Sequence, residues 1–167
     1  MKLASRLLDY LIWAALAASV VVLIRHRSSG PDEGTRAATF DLPLLGASGR
    51  FDLASHRGKP VVMEIFASWC GTCRRATPIL AEMYKEHGRS DVTFVGVSVD
   101  DSPEAAARAR EEWQMPYPVA LDDGTVSRGY NVSLLPTVVL IDRAGNVRSS
   151  IAGVPSRREI ERFVAER

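Results

Sequence analysis

The sequence VVMEIFASWCGTC, residues 61–73, decides the fold, because an almost uninterrupted apolar run leads directly into two cysteines. Residues 61–66 are apolar apart from Glu64, which is typical of a strand buried on both faces of a sheet. The pattern of residues 71–87 is that of a helix. We therefore expect Cys70 and Cys73 to lie one turn apart at the N-terminus of a helix that follows a central strand.

The two cysteines are the only ones in the 167-residue chain. A structural disulfide gains most from closing a long loop, and two cysteines in one turn close almost none. A structural zinc site needs four ligands, and the three histidines, at positions 26, 56 and 87, are scattered. The pattern predicts thiol redox chemistry and no metal or other cofactor. Two buried, inert thiols or half of a metal site are the alternatives.

The order of the two cysteines predicts their roles. The thiolate is the reactive form of cysteine, and the N-terminus of a helix favours negative charge. Cys70 is therefore predicted to attack a substrate disulfide. Cys73, one turn further on, is predicted to attack the resulting mixed disulfide and release the product.

Length, composition and charge exclude other classes of protein. The chain is 46% hydrophobic and 25% charged, as is usual for a globular protein. A length of 167 residues fits one domain with a real core and little more. The formal net charge is +1, so we expect no nucleic acid partner.

Residues 7–24 form an apolar run that contains a single charge, Asp9. As a helix this run spans roughly 27 Å, close to the thickness of about 30 Å of a hydrocarbon core. We expect residues 1–27 to be an uncleaved, single-pass membrane anchor. A cleaved signal peptide with its cleavage site at Ala15-Leu16-Ala17 is the alternative, although the apolar run continues beyond that point.

Two further regions follow this segment. Residues 28–37 are polar and rich in Gly, Pro and Ser, and they are predicted to be a flexible linker. Residues 38–167 alternate apolar runs with helical patterns, which indicates an α/β domain with a mixed central sheet flanked by helices. The predicted elements are a hairpin at 40–45 and 50–53, a strand at 61–66, a helix at 71–87, a strand at 91–99, a helix from Ser102 to about Trp113, an extended piece at 117–121, a small helix near 124–130, a hairpin at 137–141 and 147–151, and a last helix opened by Ser156.

A combination of motifs resembles the thioredoxin superfamily: Ala67-Ser68-Trp69-Cys70-Gly71-Thr72-Cys73, then Pro78, then Leu135-Pro136-Thr137. Within that superfamily, the sequence most resembles the TlpA/ResA/DsbE group. The features that indicate this group are the N-terminal hairpin, the central insertion around 100–123 and the N-terminal apolar segment. The resemblance covers residues 38–167. It implies a thioredoxin-like fold and an extracytoplasmic enzyme, a thiol–disulfide oxidoreductase that reduces disulfides in client proteins.

The resemblance also implies roles for individual residues. Pro136 matches the cis-proline beside the disulfide, where the backbone of Leu135 would be left to pair with a bound substrate strand. Trp69 matches the aromatic residue next to the cysteine pair, either as part of a docking surface or as an ordinary core residue. Pro78 matches the kink that the group has in its first long helix.

Glu64 interrupts the apolar strand six residues before Cys70, at the offset where thioredoxins have a buried aspartate. A carboxyl group buried near the thiols resists ionisation, so its pKa is expected to rise. It is predicted to take the proton from Cys73 when that thiol attacks. The alternative is a strand residue that reaches a polar edge or a partner such as Lys59.

Gly71 and Thr72 separate the cysteines, where thioredoxin has Gly-Pro, so the reduction potential is open in either direction. A disulfide-forming oxidase of the same fold is therefore one alternative. A cytochrome c maturation thiol reductase is another, although residues 132–137 lack the Gly-x-Pro-Glu signature of those proteins. From a different class, the remaining alternative is a copper- or peroxide-handling protein on a related fold. Against it, this sequence lacks the distal histidine of the copper carriers and the cysteine motif of the peroxiredoxins.

By resemblance, the partners are disulfide-containing client proteins and a membrane electron donor of the DsbD/CcdA type. The membrane itself is a partner through the N-terminal helix. The expected location is the bacterial inner membrane, with the catalytic domain on the periplasmic side, because disulfides persist outside the cytoplasm.

Overall fold

The computed structural model describes residues 2–25, 30–88 and 92–166. The described elements, in chain order, are helix α1 (Lys2–Arg25), strands β1 (Asp41–Pro43) and β2 (Arg50–Asp52), a 3₁₀ turn (Leu53–His56), β3 (Val61–Phe66), α2 (Gly71–His87), β4 (Thr93–Ser98), α3 (Pro103–Glu112), β5 (Val119–Leu121), α4 (Thr125–Gly129), β6 (Thr137–Ile141), β7 (Val147–Ala152) and α5 (Arg157–Ala165). The predicted order of strands and helices in the domain is confirmed.

The central sheet is mixed and has five strands in the order β5-β4-β3-β6-β7. Strand β3 pairs in parallel with β4 and antiparallel with β6. Every residue of β3 is buried, which confirms the central strand predicted from its apolar run. The ends of β3 and β4 and the start of β6 consequently meet at one edge of the sheet, and this edge carries the cysteines.

Alternate residues of β3 face two separate hydrophobic clusters. Val62 and Phe66 pack with α2, α3 and α5 on one face. Met63 and Ile65 pack with the β1–β2 hairpin and α4 on the other face. Because side chains in a strand alternate between faces, Glu64 shares the face of Val62 and Phe66 and points toward α2.

The N-terminal hairpin also protects an edge of the sheet. Leu44 forms a bridge with Ala120, and the N–H of Leu45 donates to the carbonyl of Val119 over 2.8 Å. These contacts satisfy backbone groups of β5 that would otherwise face solvent as an unpaired edge. The predicted hairpin and central insertion therefore pack against each other.

Two predicted helix starts are confirmed by their caps. Ser102 accepts a hydrogen bond from the N–H of Ala105, and Pro103 follows as the first residue of α3. Ser156 and Glu159 form a reciprocal capping box at the start of α5. Local sequence signals were therefore sufficient to define where these helices begin.

The predicted membrane anchor is not confirmed. Helix α1 contains residues 7–24, but its first half also carries Lys2, Arg6 and Asp9. Within residues 2–25, 30–88 and 92–166, none of the helices combines the length and the apolarity needed to span a bilayer. Residues 26–29, which end the predicted anchor and begin the predicted linker, lie outside the described residues.

Candidate active site

Cys70 and Cys73 are joined in a disulfide at the N-terminus of α2, with their Cα atoms 5.2 Å apart. Cys70 is the N-cap of the helix, and its sulfur accepts a hydrogen bond from the N–H of Cys73 over 3.1 Å. Cys73 is completely buried, whereas Cys70 keeps 7% of its surface exposed. Cys70 is therefore the sulfur that a partner reaches first, and the helix terminus stabilises its thiolate.

Asp100 fixes the loop that leads into Cys70. Its carboxylate accepts hydrogen bonds from the N–H and the hydroxyl of Ser68, over 2.8 and 2.7 Å. It also accepts one from the hydroxyl of Ser98 over 2.8 Å. The sequence analysis did not place Asp100 at this site, although it lies two residues after β4, whose end meets the end of β3 at one end of the sheet.

Trp69 is 73% exposed, so it is not a core residue. It sits between Ser68, which Asp100 holds, and Cys70. Leu134, at the start of the neighbouring Leu134–Pro136 loop, is also a large hydrophobic residue with 51% exposure. Exposed large hydrophobic residues beside a reactive sulfur suit contact with another protein. Of the two roles considered for Trp69, a docking residue or a core residue, only the docking role is compatible with this exposure.

The Leu135–Pro136 peptide bond is cis, as the resemblance implied. Pro136 is buried, and its carbonyl accepts a hydrogen bond from the N–H of Gly153 over 2.7 Å. Thr137, which begins β6, pairs with Ile65 near the end of β3, so the loop lies at the sheet edge that carries the cysteines. Among the described residues no hydrogen bond reaches the backbone of Leu135. Its pairing with substrate stays a prediction.

Thr72 and Gly71 differ in their surroundings. The hydroxyl of Thr72 accepts a hydrogen bond from the Arg75 guanidinium over 3.2 Å, and Arg75 also approaches the carbonyl of Gly71 at 3.4 Å. A side chain added at Gly71 would meet no atom within 4 Å. The Gly-Thr pair therefore presents an open surface and a positive charge beside the disulfide.

Pro78 lies inside α2, as predicted.

Glu64 is buried with 1% exposure, and two hydroxyl groups meet its carboxyl group. Tyr117 donates to Oε2 over 2.6 Å, and Thr77 lies 3.1 Å from Oε1. Burial raises the pKa of Glu64 to about 7, and the hydrogen bonds from Tyr117 and Thr77 offset part of that rise. The alternative partner Lys59 is exposed and makes no contact with Glu64 among the described residues.

Tyr117 and Thr77 were missed by the sequence analysis. Thr77 sits four residues after Cys73 on α2, a spacing that places both on one helix face. That spacing was a usable signal. Tyr117 is separated from Glu64 by 53 residues, and no local pattern links them. Within the described ranges, no three His, Cys, Asp or Glu residues converge in a way that could hold a metal ion.

A model of the Redoxin family matches residues 32–165. The chain belongs to the Redoxin family. It is 32% identical over 133 residues to the thiol-disulfide oxidoreductase ResA of Geobacillus kaustophilus, an alignment that covers 78% of this chain and 75% of that protein. Both the family and this relative agree with the resemblance that the cysteine and proline motifs indicated.

Two solved structures of similar proteins agree with the fold. A thiol:disulfide interchange protein of the thioredoxin family from Chlorobium tepidum has a TM-score of 0.72 and 27% identity, covering 81% of this chain and 97% of that one. A secreted disulfide oxidoreductase of Mycobacterium tuberculosis has a TM-score of 0.68 and 26% identity, covering 77% and 96%. This Redoxin family member therefore has a thioredoxin-like α/β fold.

The pKa of Glu64 predicts how stability depends on pH. The carboxyl group holds its proton up to about pH 7 in the folded protein and releases it near 4.5 when unfolded. Between these values the unfolded state binds fewer protons, so the free energy of unfolding falls as pH rises. Relative to Glu64→Gln, the wild type should lose about 3 kcal/mol between pH 4.5 and pH 8. Urea denaturation at both pH values measures this difference.

The matched control for that measurement is Glu111→Gln, on the exposed surface of α3. It should leave the difference between the two pH values as in the wild type. A wild type whose stability changes with pH in parallel with Glu64→Gln would contradict the raised pKa.

Proposed function

We propose that the chain is an extracytoplasmic thiol–disulfide oxidoreductase that reduces disulfides in client proteins. The observation that carries the proposal is the Cys70–Cys73 disulfide at the start of α2, with the outer sulfur at the N-cap and the inner one buried. The named relatives, which are called thiol-disulfide oxidoreductases or interchange proteins, support the same chemistry.

In the proposed reaction the reduced form begins as a Cys70 thiolate. It attacks one sulfur of a client disulfide, which forms a bond between Cys70 and the client and expels the client's other sulfur as a thiolate. Cys73 then loses its proton and attacks the Cys70 sulfur, which releases the second client sulfur. The client gains two electrons, and the enzyme is left in the disulfide form seen here.

Trp69, Leu134 and Leu135 would form the contact surface for the client. Trp69, directly before Cys70, and Leu134 present exposed apolar area, and the backbone of Leu135 is open to pairing. A client segment in extended conformation could add its backbone hydrogen bonds to Leu135 in the manner of an added strand. This arrangement recognises backbone and apolar area, so it suits more than one client sequence.

Glu64 is proposed as the group that accepts the Cys73 proton. A pKa of about 7 leaves a substantial fraction ionised at neutral pH and keeps its conjugate acid able to return the proton. An unperturbed carboxyl group would be a weaker base. Its place on β3, facing the helix that carries Cys73, makes it the carboxyl group to test.

The direction of electron flow is part of the proposal. Disulfides persist outside the cytoplasm, and an enzyme there that undoes them needs an electron source. A membrane donor of the DsbD/CcdA type would supply electrons to the Cys70–Cys73 disulfide. The alternatives are a disulfide-forming oxidase and a cytochrome c maturation thiol reductase. No feature of the described site favours copper or peroxide chemistry.

Replacing Cys73 with Ser should trap clients. Without the second thiol, the mixed disulfide at Cys70 cannot be resolved within the enzyme, so covalent complexes accumulate. Non-reducing gels and mass spectrometry of cells that produce Cys73→Ser should show these complexes, and a reducing agent should dissolve them. Cys70→Ser is the matched control and should trap none. Absence of complexes in both variants would contradict catalysis and favour a non-catalytic adaptor.

The equilibrium of the Cys70–Cys73 pair with glutathione separates reductase from oxidase. A reductase should have a potential well below about −200 mV, in the range of thioredoxin, and an oxidase a value well above it. We expect the lower value. Alkylation of the free thiols across a series of glutathione buffers measures it. A potential near that of a strong oxidant would reverse the proposed direction.

The proposed location is the bacterial inner membrane, with residues 1–27 as the attachment and the domain on the periplasmic side. The long apolar run of residues 7–24 and the secreted Mycobacterium tuberculosis relative support it. The full chain should sediment with membranes and resist carbonate extraction. Protease added to intact spheroplasts should digest the domain. A chain starting at residue 30 is the control, and it should stay in the supernatant when the membranes are sedimented. Full protection from protease would overturn the periplasmic placement.

A further inference from the structure

Glu64, Thr77 and Tyr117 form a buried polar group inside an otherwise apolar cluster. Thr77 has no exposed surface, and Glu64 and Tyr117 each keep 1%. Tyr117 lies 2.6 Å from Oε2 of Glu64, and Thr77 lies 3.1 Å from Oε1. The hydroxyl of Thr77 is also 3.1 Å from the carbonyl oxygen of Cys73. Thr77 thus connects the carboxyl group on β3 to the turn of α2 that carries the second cysteine.

The number of protons in this group limits the directions that its hydrogen bonds can take. Each hydroxyl has one proton to donate, and Tyr117 donates its proton to Oε2. Thr77 therefore has one proton for two acceptors, Oε1 of Glu64 and the carbonyl of Cys73. While Glu64 is ionised, Thr77 can therefore donate to only one of these two acceptors at a time.

The charge on Glu64 decides which acceptor receives the proton. When Glu64 is ionised, its carboxylate is the stronger acceptor, so Thr77 donates to Oε1. When Glu64 is neutral, Oε1 carries a proton and donates to the Thr77 oxygen. The proton of Thr77 then goes to the carbonyl of Cys73. Protonation therefore completes an unbroken chain from Tyr117 through Glu64 and Thr77 to Cys73.

We propose that Thr77 and Tyr117 are positioning residues that couple the charge on Glu64 to the helix turn carrying Cys73. The inference deepens the proposed function and depends on it. As Cys73 gives its proton to Glu64 and attacks Cys70, the hydroxyl of Thr77 turns from the carboxyl group to the Cys73 carbonyl. Proton acceptance is thus matched by a new hydrogen bond at the attacking residue.

The surroundings leave the two hydroxyl groups as the polar contacts that tune Glu64. Its strand partners are Gly96 on β4 and Val138 on β6, and Ile160 of α5 belongs to the same apolar cluster. Besides Glu64, the titratable members of this cluster among the described residues are Tyr117, the cysteine pair and the partly buried Tyr84, whose ring centre lies 5.9 Å from that of Tyr117. The charged side chains of α2, α3 and α5 that form ion pairs, such as Arg74, Glu112 and Arg157, are exposed. In the described part of the chain, no charged side chain shifts the pKa of Glu64.

Removing either hydroxyl should therefore shift the pH at which Glu64 works. Hydrogen bonds from Tyr117 and Thr77 lower the pKa of Glu64, and Tyr117 has the larger effect. Without them the carboxyl group ionises at higher pH, so fewer molecules have a base available for Cys73 at neutral pH. The informative variants are Tyr117→Phe, Thr77→Val and Thr77→Ser, the last of which keeps the hydroxyl.

The reduced full-length chain can be mixed with Ellman's reagent in a stopped-flow instrument. The attack of Cys70 breaks the reagent's disulfide and releases one thionitrobenzoate anion. The attack of Cys73 on Cys70 releases the second anion, and the proton of Cys73 passes to Glu64. Two phases therefore report formation and resolution of the mixed disulfide in a single trace, in which the dithiol is oxidised and the reagent reduced.

We expect Tyr117→Phe to slow the second phase at pH 7 by about twofold to fivefold, because a pKa rise of about half a unit to one unit lowers the ionised fraction of Glu64 by that factor at this pH. At pH 9 the difference should fall below about twofold, because the carboxyl group is then ionised in both proteins. Thr77→Val should act in the same direction with a smaller effect. Thr77→Ser should restore the wild-type profile, and the first phase should be unchanged throughout.

Tyr130→Phe is the matched control. Tyr130 is a buried tyrosine on the other face of the sheet, and its hydroxyl donates to the Ala38 carbonyl over 2.7 Å. Its removal should leave both phases at the wild-type rate. Infrared difference spectra that follow the protonated carboxyl band, assigned through its loss in Glu64→Gln, should show the same shift in Tyr117→Phe without any turnover.

Two outcomes separate the inference from the function. Wild-type pH profiles and carboxyl titrations in Tyr117→Phe and Thr77→Val would overturn the coupling while leaving the oxidoreductase in place. Two other results would overturn the function itself: no second phase in the wild-type protein, or no trapped client in the Cys73→Ser variant. Equal slowing at all pH values, unrelieved by Thr77→Ser, would indicate a structural role and also contradict the coupling.

Discussion

The burial of β3 between β4 and β6 is the constraint on which the rest of the site depends. All six of its residues are buried, so the strand cannot shift its register without exposing one hydrophobic cluster. Its end delivers Cys70 to the start of α2, and its antiparallel partner β6 begins at the same sheet edge with Pro136 before it. The position of the disulfide relative to the cis-proline is therefore a consequence of strand pairing.

The same strand places a carboxyl group in the interior, where 1% of its surface is exposed. Burying an ionisable group without hydrogen bonds is costly, and here Tyr117 and Thr77 supply the partners. No buried side-chain polar atom in the described residues lacks a partner. The polar group inside the apolar cluster is thus satisfied, yet burial still keeps the pKa of Glu64 raised to about 7. Burial of this carboxyl group therefore lowers stability at neutral pH, and in the proposed function it leaves a base that can accept a proton there.

The parts of the site that the sequence predicted are those with a local signature. The apolar run of β3, the helix start at Cys70, the serine caps and the proline inside α2 each depend on residues within a few positions of one another. The cis bond at Pro136 was reached by resemblance. Glu64 was identified because a charge in a buried strand is conspicuous. The alternative that it pairs with Lys59 was wrong, and its partners Tyr117 and Thr77 were not predicted.

Contacts between distant segments could not be read in this way. Asp100 binds Ser68 across 32 positions, and Tyr117 binds Glu64 across 53. The exposure of Trp69 and the burial of Cys73 likewise depend on which faces the packed elements cover. The sequence by itself determined the order of elements, the cysteine pair and the class of chemistry, because periodicity and spacing are local. Only the tertiary structure decided which hydroxyl groups meet the buried carboxyl, because that depends on how separate strands and helices pack.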